Sequence, residues 1–381
     1  MAEYRFTEPV DVLYLRGNRL FGDPGAHGEA LMPPWPSLVA GALRSRMLVD
    51  RGMDPARFAE GNAALPPALA TCLGGVERPG TFRIGFFAVA RRAGTEVEPL
   101  LPVPADLAVR GENADFLVPA ELPISVRTSF PLRLTPVLRA ADAGKAEEAM
   151  WLGLEGLALY LAGSPIRKQH LVRAHEIWKT DLRLGIALDG SRRTALEGHL
   201  YTAEAVALDH GCGFVVRVEG ADGLVPREGV LRFGGDGRAA VIGECVFKMP
   251  EPPWEEIERA RRFRLVLATP GIFADGWLPP GTREAPDGAT WDLFGLRARL
   301  VSACVPRAQV VSGWDLARQQ PKPAVRAVPV GTVYWFDSME GPIDGLRRLV
   351  QEGLRQPDRM DPARYAEGFN AVFVAAWPQR Q

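Results

Sequence analysis

The sequence predicts an α+β fold with two ferredoxin-like domains. Its 381 residues are enough for about two domains, and 47% hydrophobic residues can supply ordinary cores. In the last third of the chain the patterns follow the order strand, strand, strand, helix, strand, which suits a ferredoxin-like sandwich. The earlier part fits the same plan with long insertions, one of which is expected to be a β-hairpin arm.

The chain opens with an extended run, Val12–Leu15, followed by a polar loop and a helix. The proline run at 33–36 excludes helix before Ser37, because proline removes an amide donor and disfavours the α region for its predecessor. Ser37 is therefore the expected N-cap. Gly41 inside the helix indicates close packing against another backbone. Such a helix either holds an anion at its N-terminus, near Arg19, or is simply a capped helix packed on a sheet.

The middle of the chain is predicted to alternate strands with a helix. The helix is expected over 147–163, where apolar residues recur at helical spacing and Gly163 ends the pattern before a proline. Residues 177–208 form two extended runs joined by a turn at Asp189–Ser191, which predicts the arm. The other expected elements are strands at 81–92, 213–220 and 230–243, and a proline-rich edge or loop at 99–107.

The segment 248–256 is the best candidate linker, since three prolines and several acids interrupt the strand pattern there. We therefore expect an N-terminal domain over 1–250 and a C-terminal domain over 251–381. The elements expected in the second domain are strands at 263–271, 296–305, 328–337 and 369–377, and a helix at 342–355.

Composition and residue spacing favour a cytoplasmic protein without a metal or cofactor. The longest apolar runs, such as 157–163, fall short of the ~20 residues that a membrane span needs, and residues 1–11 have no signal-peptide core. The four cysteines form no CxxC pair, and the five histidines have no ligand spacing. The formal net charge of −1 argues against a surface coated with positive charge for nonspecific nucleic-acid binding.

Two local features are relevant to phosphate binding. Between 163 and 193 seven basic residues face three acidic ones, a local excess of four charges. The GGDG run at 234–237 fits either a phosphate cradle or an ordinary bulge or turn.

Five stretches, taken together and in order, resemble one family, that of the third subunit of the type III-B CRISPR RAMP module, or Cmr complex. They are Arg19-Leu20-Phe21 with Pro33 through VAGALR; Arg183-Leu184-Gly185-Ile186 followed by EGHLYT; LRFGGDGRAA; SGWDL followed by Lys322-Pro323 and VPVGTVYW; and GFNAVFVAAW. The chain departs from the family pattern at Leu20, where proline is usual, and at Asn370, where glycine is usual. Asparagine adopts positive φ less freely than glycine.

The resemblance implies tandem ferredoxin-like (RRM-like) RAMP domains that bind the repeat-derived 5′ tag of a crRNA in antiviral defence. It also implies a non-catalytic subunit that caps the foot of the complex, beside the large polymerase-like subunit and the first backbone RAMP subunit. The candidate RNA-binding residues are Arg16, Arg19, Ser37, Arg44, Lys179, Arg183, Arg193, Gly234, Gly235, Arg238, Lys322 and Arg326.

Two other functions stay open at this level. A crRNA-processing RAMP endoribonuclease would need a general acid–base such as His175 or His199 over the scissile phosphate. A scaffold subunit would make protein contacts alone.

Overall fold

The computed structural model describes residues 2–17, 27–75, 78–94, 96–123, 125–139, 145–285, 288–316 and 318–379. Within these ranges the fold is mixed α+β, as predicted.

The chain divides into two compact units, each made of discontinuous segments. Unit 1 comprises Met1–Val97, Ala174–Val246 and Val310–Val325, and unit 2 comprises Glu98–Arg173, Phe247–Gln309 and Arg326–Gln381. Each unit therefore takes segments from both sides of the predicted boundary at residue 250, although one passage between the units, at Val246–Phe247, lies beside it. The ferredoxin-like plan of each domain stays a prediction.

The α-helices of the described residues are α1 (Pro36–Val49), α2 (Pro55–Ala59), α3 (Pro67–Leu73), α4 (Leu154–Leu161), α5 (Trp254–Ala260), α6 (Asp344–Glu352) and α7 (Pro362–Ala366). Short 3₁₀ turns lie at Lys168–His170, Ala174–Glu176 and Pro357–Arg359. The strands are β1 (Glu3–Pro9), β2 (His27–Gly28), β3 (Arg83–Ala93), β4 (Glu96–Pro102), β5 (Leu107–Arg110), β6 (Asn113–Ala120), β7 (Thr135–Leu138), β8 (Met150–Leu152), β9 (Ile166–Arg167), β10 (Leu171–Arg173), β11 (Trp178–Leu188), β12 (Ala195–Leu208), β13 (Cys212–Glu219), β14 (Glu228–Arg232), β15 (Ala239–Glu244), β16 (Phe263–Leu267), β17 (Thr282–Ala285), β18 (Gly288–Leu293), β19 (Leu296–Cys304), β20 (Gln309–Val311), β21 (Trp314–Asp315), β22 (Gln320–Pro321), β23 (Val325–Ala327), β24 (Val333–Glu340) and β25 (Val372–Ala375).

Unit 1 is built on an antiparallel sheet in the order β3-β13-β1-β15-β14. Strand β1 lies between two partners, so that Phe6 faces Val215 on one side and Gly243 on the other. Helix α1 packs against β3 and β14 and buries Val39 and Leu43. This four-residue spacing places both side chains on one helix face, which closes the core of the unit.

The start of α1 corrects two sequence-based expectations. The helix begins at Pro36 with Trp35 as its cap residue, and no side chain caps it by a hydrogen bond, so the prediction of Ser37 as N-cap was wrong. Proline fits the first helical position because the missing amide would have no partner there. Close backbone packing at Gly41 was also wrong, because a Cβ at that position would meet open space.

The predicted arm is confirmed as a long hairpin of β11 and β12. The strands pair in antiparallel register, with Arg183 opposite Ala203 and Gly185 opposite Tyr201. The turn is closed by the Asp189 carboxylate, which accepts hydrogen bonds from the backbone N–H (2.8 Å) and the hydroxyl (2.6 Å) of Ser191. These bonds lower the pKa of Asp189.

Unit 2 contains a six-stranded antiparallel sheet in the order β17-β18-β19-β24-β16-β25. Its core stacks Phe263 on Phe336 with 4.9 Å between ring centroids, and Trp291 lies 5.0 Å from Phe336. The predicted strands and the helix of this region are confirmed as β16, β19, β24, β25 and α6. The hairpin of β17 and β18 was missed, although Ala289, Trp291 and Leu293 of β18 alternate with polar residues as in a half-buried strand.

The helix predicted over 147–163 is shorter in the structure. Met150–Leu152 forms strand β8, and helix α4 begins only at Leu154. Leu152 pairs with Leu101 on one side and Leu171 on the other, so the sheet takes the first part of the apolar run. Tertiary pairing has overridden the helical spacing.

Arg264 lies at the centre of unit 2 with no solvent exposure. Its guanidinium pairs with Asp106 and donates hydrogen bonds to the carbonyls of Ala376 (2.7 Å) and Tyr160 (2.8 Å). The Tyr160 hydroxyl donates to Asp106 at 2.7 Å, and burial raises the pKa of Tyr160 well above its ordinary value. The guanidinium also lies 4.5 Å from the Tyr160 ring centroid and 5.0 Å from that of Phe116. A buried cation is tolerable only with this many partners.

Asn370 occupies the position where the resembled family usually has glycine. Its φ of 69° is left-handed, which asparagine accepts better than most residues. The side-chain oxygen accepts the Ile272 N–H at 2.7 Å, and the side-chain amide donates to the Leu354 carbonyl at 3.4 Å. The asparagine therefore keeps the left-handed backbone and adds hydrogen bonds that glycine cannot make.

Asp106→Ala is expected to lower the free energy of unfolding by about 3–5 kcal/mol, because it leaves the Arg264 cation buried without its counter-ion. Urea-induced unfolding of the full chain measures the change. Glu121→Ala is the control, because it breaks an exposed ion pair with Arg133 and should cost less than about 1 kcal/mol. Equal losses in the two variants would contradict the role given to the buried pair.

Asn370→Gly is expected to lower the free energy of unfolding by about 1–2 kcal/mol, because the half-buried Ile272 N–H loses its acceptor. Asn370→Ala should cost more, since alanine must also hold a left-handed φ. Ser338→Gly, at an exposed position with a φ of 52°, is the matched control and should change stability by less than about 0.5 kcal/mol. Thermal and urea unfolding compare the three, and a neutral Asn370→Gly would show that the amide bonds contribute nothing.

Candidate nucleic-acid interface

Tyr14 is flanked by two arginines at the edge of unit 1. The guanidinium carbon of Arg238 lies 5.1 Å from the Tyr14 ring centroid, and that of Arg16 lies 5.7 Å from it. Arg238 also pairs with Asp11 at 2.9 Å, and Arg16 pairs with Asp236 at 3.5 Å. The ring and the acidic neighbours both favour this orientation of the two guanidinium groups. We call Tyr14, Arg16, Gly234, Gly235 and Arg238 the Tyr14 cluster.

A glycine turn between β14 and β15 positions this cluster. Gly234 has a φ of 87°, and a Cβ there would lie 3.0 Å from the Tyr14 carbonyl oxygen. Gly235 donates its N–H to that oxygen at 2.8 Å, and Phe233 closes the turn by donating to the Arg238 carbonyl at 2.8 Å. Of the two alternatives for the GGDG run, the structure shows a turn. Because the Gly235 amide is already used, a phosphate cradle would lack that donor.

The base of the arm lies beside the extended segment that carries Tyr14. Leu13 and Val206 of β12 exchange two backbone hydrogen bonds of 2.9 and 2.8 Å. Arg183 is exposed on the arm and pairs with Asp181 at 2.8 Å. The hydrogen bond and charge of Asp181 raise the pKa of Arg183.

One face of the arm combines cations with an aromatic ring. Lys179, Asp181, Arg183 and Gly185 alternate along β11 and therefore share a face, and Tyr201 lies opposite Gly185. A Cβ on Gly185 would overlap the Tyr201 ring at 2.2 Å, so the ring lies directly over this glycine. Glycine is needed here because any larger side chain would displace the Tyr201 ring.

The other predicted residues lie elsewhere. Arg193 is in the arm turn, Ser37 is half-buried in the first turn of α1, and the Arg44 guanidinium covers the Phe82 ring at 5.0 Å. Lys322 follows β22 in unit 1, and Arg326 is exposed in unit 2. The prediction for Arg19 falls within 18–26, outside the described residues.

Tyr14 and Tyr201 were missed by sequence reasoning. Tyr14 lies in the run Val12–Leu15, which has the composition of a buried strand. Leu13 and Leu15 are indeed buried, while Tyr14 is half-exposed between them. The period-two alternation of a strand was the available signal, because it places Tyr14 on the face opposite the two leucines.

The residues that a catalytic alternative would require are not gathered into a site. His175 is in an exposed 3₁₀ turn and His199 is exposed on β12. Across the described ranges, no group of three or more His, Cys, Asp or Glu side chains is placed to hold a metal ion. The cysteines are free thiols, and burial raises the pKa of Cys72 to about 11, which keeps its thiol protonated and weakly nucleophilic. No helix in the described part of the chain has the length and apolar character to cross a membrane.

The comparison with solved structures gives matches along nearly the whole chain. A chain in the cryo-EM structure of the Type III-B Cmr-beta bound to cognate target RNA is 14% identical, with 97% of this chain and 96% of that chain covered and a TM-score of 0.48. A second such structure, with AMPPnP in state 1, gives 14% identity, coverage of 97% and 98%, and a TM-score of 0.47. No curated protein sequence matches.

The family model for CRISPR-associated proteins of the Cas_Cmr3 type matches residues 6–377. The match includes all five of the stretches that carried the resemblance in the sequence, from Arg19-Leu20-Phe21 to the closing GFNAVFVAAW. This confirms the resemblance, and the chain belongs to the Cas_Cmr3 family of CRISPR-associated proteins.

Proposed function

We propose that this chain is a non-catalytic subunit of a type III-B CRISPR (Cmr) effector and binds the 5′ tag of crRNA. The observation that carries the proposal is the Tyr14 cluster, where Arg16 and Arg238 lie over one half-exposed ring next to the base of the arm. Arginine suits phosphate and base edges, and aromatic rings stack on unpaired bases. A repeat-derived tag is single-stranded and fixed in sequence, so it offers both kinds of contact.

The arrangement favours mixed readout of backbone and bases. Lys179 and Arg183 extend along one arm face and suit a line of phosphates, whereas Arg16 and Arg238 are directed by Tyr14 and their acidic partners. Cations that contact phosphates position the RNA, as proposed for Lys179 and Arg183. Oriented guanidinium groups can discriminate between bases, as proposed for Arg16 and Arg238. We expect the tag to follow the arm base with its bases toward the Tyr14 cluster.

Protein partners account for much of the remaining surface. The formal net charge of −1 is modest for a protein with an RNA groove, which is expected if other faces contact subunits and not phosphate. Under the proposal these neighbours are the large polymerase-like subunit and the first backbone subunit at the foot of the complex. The effector works in the cytoplasm, where crRNA is loaded, and cleavage belongs to the neighbours.

Tyr14→Ala is expected to weaken binding of tag RNA about five- to thirtyfold, because both guanidinium groups lose the ring that orients them. Tyr14→Phe is the matched control and should bind nearly as wild type, since it keeps the ring. Fluorescence anisotropy with tagged and scrambled RNA measures the change. A Tyr14→Ala variant with wild-type affinity and sequence preference would remove the cluster from the interface.

Lys179→Ala combined with Arg183→Ala should flatten the salt dependence of tag binding. The slope of log affinity against log salt is expected to fall by about 1.4, since each phosphate contact to a single strand contributes about 0.7. The control pair is Arg347→Ala with Arg348→Ala, which removes two cations that pair with acids of helix α6. If both pairs change the slope equally, the effect comes from net charge and not from an arm groove.

A further inference from the structure

One face of the arm is apolar and exposed. Leu182, Leu184 and Ile186 alternate along β11, and Leu200 lies opposite Ile186 on β12, so the four side chains share a face. They expose 62%, 70%, 42% and 49% of their surface, respectively. We call these four residues the apolar arm face. It lies on the side of the hairpin opposite to the arm cations.

The clustering of these side chains calls for a partner. Six of the fifteen large apolar side chains that are exposed in the described ranges lie on this one hairpin. Single exposed apolar residues scattered over a surface are normal, whereas a contiguous group marks a surface that binds another molecule.

The arm has little support from the rest of the described chain beyond its base. Strand β2 pairs with Thr202 and Ala203 of β12, and within the described ranges no third strand continues from there toward the tip. A two-stranded hairpin alone is only marginally stable in water. A partner that covers the apolar arm face would therefore also hold the arm in place.

The charge pattern favours protein over RNA on this face. From Leu182 to Ile186 and across the paired residues of β12, the one ionisable side chain on the face is Glu204, opposite Leu182. Its carboxylate already has partners, since it accepts the Ala30 N–H at 2.9 Å and lies 3.2 Å from Nε2 of His27. A phosphate would meet no cation here. Apolar side chains with few charges are instead typical of the core of a protein interface.

The apolar arm face is too small to hold a second copy of the chain by itself. Four partly exposed side chains offer far less than the ~800 Å² that each partner buries in a standard stable interface. A patch of this size fits one part of a larger contact, made with a protein that binds the chain at other surfaces too. Under the proposed function, such a protein is a neighbouring subunit of the effector.

The path of the RNA selects the neighbour. The tag is only one end of the crRNA, and under the proposed function the strand passes on from it to the backbone of the complex. We propose that the apolar arm face docks on an apolar surface of the first backbone subunit, while the cationic face holds the tag. The inference rests on the proposed function and assigns a partner to a surface that the RNA site leaves unused.

The test measures binding of the full chain to the purified first backbone subunit by biolayer interferometry. Leu182→Thr combined with Leu184→Thr should weaken this binding about tenfold or more, because threonine keeps the preference for a strand and removes apolar surface that the partner buries. Leu184→Ile should keep most of the affinity. The matched control is Val230→Thr with Val241→Thr, an exposed cross-strand pair of β14 and β15, which should bind as wild type.

The same variants are compared for tag RNA binding by fluorescence anisotropy and for thermal unfolding. Both properties should be unchanged in the double threonine variant, since the replaced side chains are exposed in the isolated chain and face away from the cations. This separates loss of docking from loss of the fold or of the RNA site.

Four results would overturn the docking face. The double threonine variant could bind the backbone subunit as tightly as wild type, lose affinity for tag RNA instead, or lose binding to the large polymerase-like subunit alone. Wild type could also form a dimer that the variant abolishes, which would assign the face to a second copy. Failure of the proposed function is distinguishable, since wild type would then bind neither tag RNA nor the backbone subunit.

Discussion

The buried Arg264–Asp106 pair is the constraint on which unit 2 depends. Asp106 comes from the segment before the arm, while Arg264 lies on a central strand of the C-terminal sheet, 158 residues later. Transferring an isolated charge into a protein interior is strongly unfavourable, so neither group can be buried before the other is present. Their hydrogen bonds to Tyr160 and Ala376 fix four parts of the chain around one cation. The arrangement of these four segments in unit 2 therefore depends on specific polar interactions as well as on the burial of apolar side chains.

Local pattern predicted most of the secondary structure, and its failures have physical causes. The arm and strands such as β13, β16 and β19 have alternation or β-rich composition that survives in any context. The apolar run at 147–163 was split because β8 pairs with two neighbouring strands. The local spacing of apolar residues contains no information about such long-range pairing. The discontinuity of the units could not be predicted either, since neither the sequence around Asp106 nor that around Arg264 indicates that the two residues form an ion pair.

The candidate site was predicted in parts, and its assembly was not. Arg16, Gly234, Gly235 and Arg238 were each proposed for RNA contact, and the structure brings them together around a tyrosine that looked like a core residue. Arg44 shows the opposite case, because its guanidinium packs on Phe82. The presence of an arginine in the sequence does not show whether its guanidinium group faces solvent or packs on a neighbouring ring. That information lies in the tertiary contacts.

The long sequence separation within unit 2 also matters during synthesis. A ribosome releases Asp106, Phe116 and Tyr160 well before Arg264, and the Ala376 carbonyl follows later still. Until Arg264 and the Ala376 carbonyl are synthesised, segment 98–173 lacks the sheet that buries it. The Asp106 carboxylate then stays hydrated, and the rings of Phe116 and Tyr160 are exposed to non-native contacts. Contacts between distant residues slow folding, and incomplete units invite aggregation. The arm lies between Tyr160 and Arg264, so any delay in translating it lengthens the interval in which segment 98–173 is exposed.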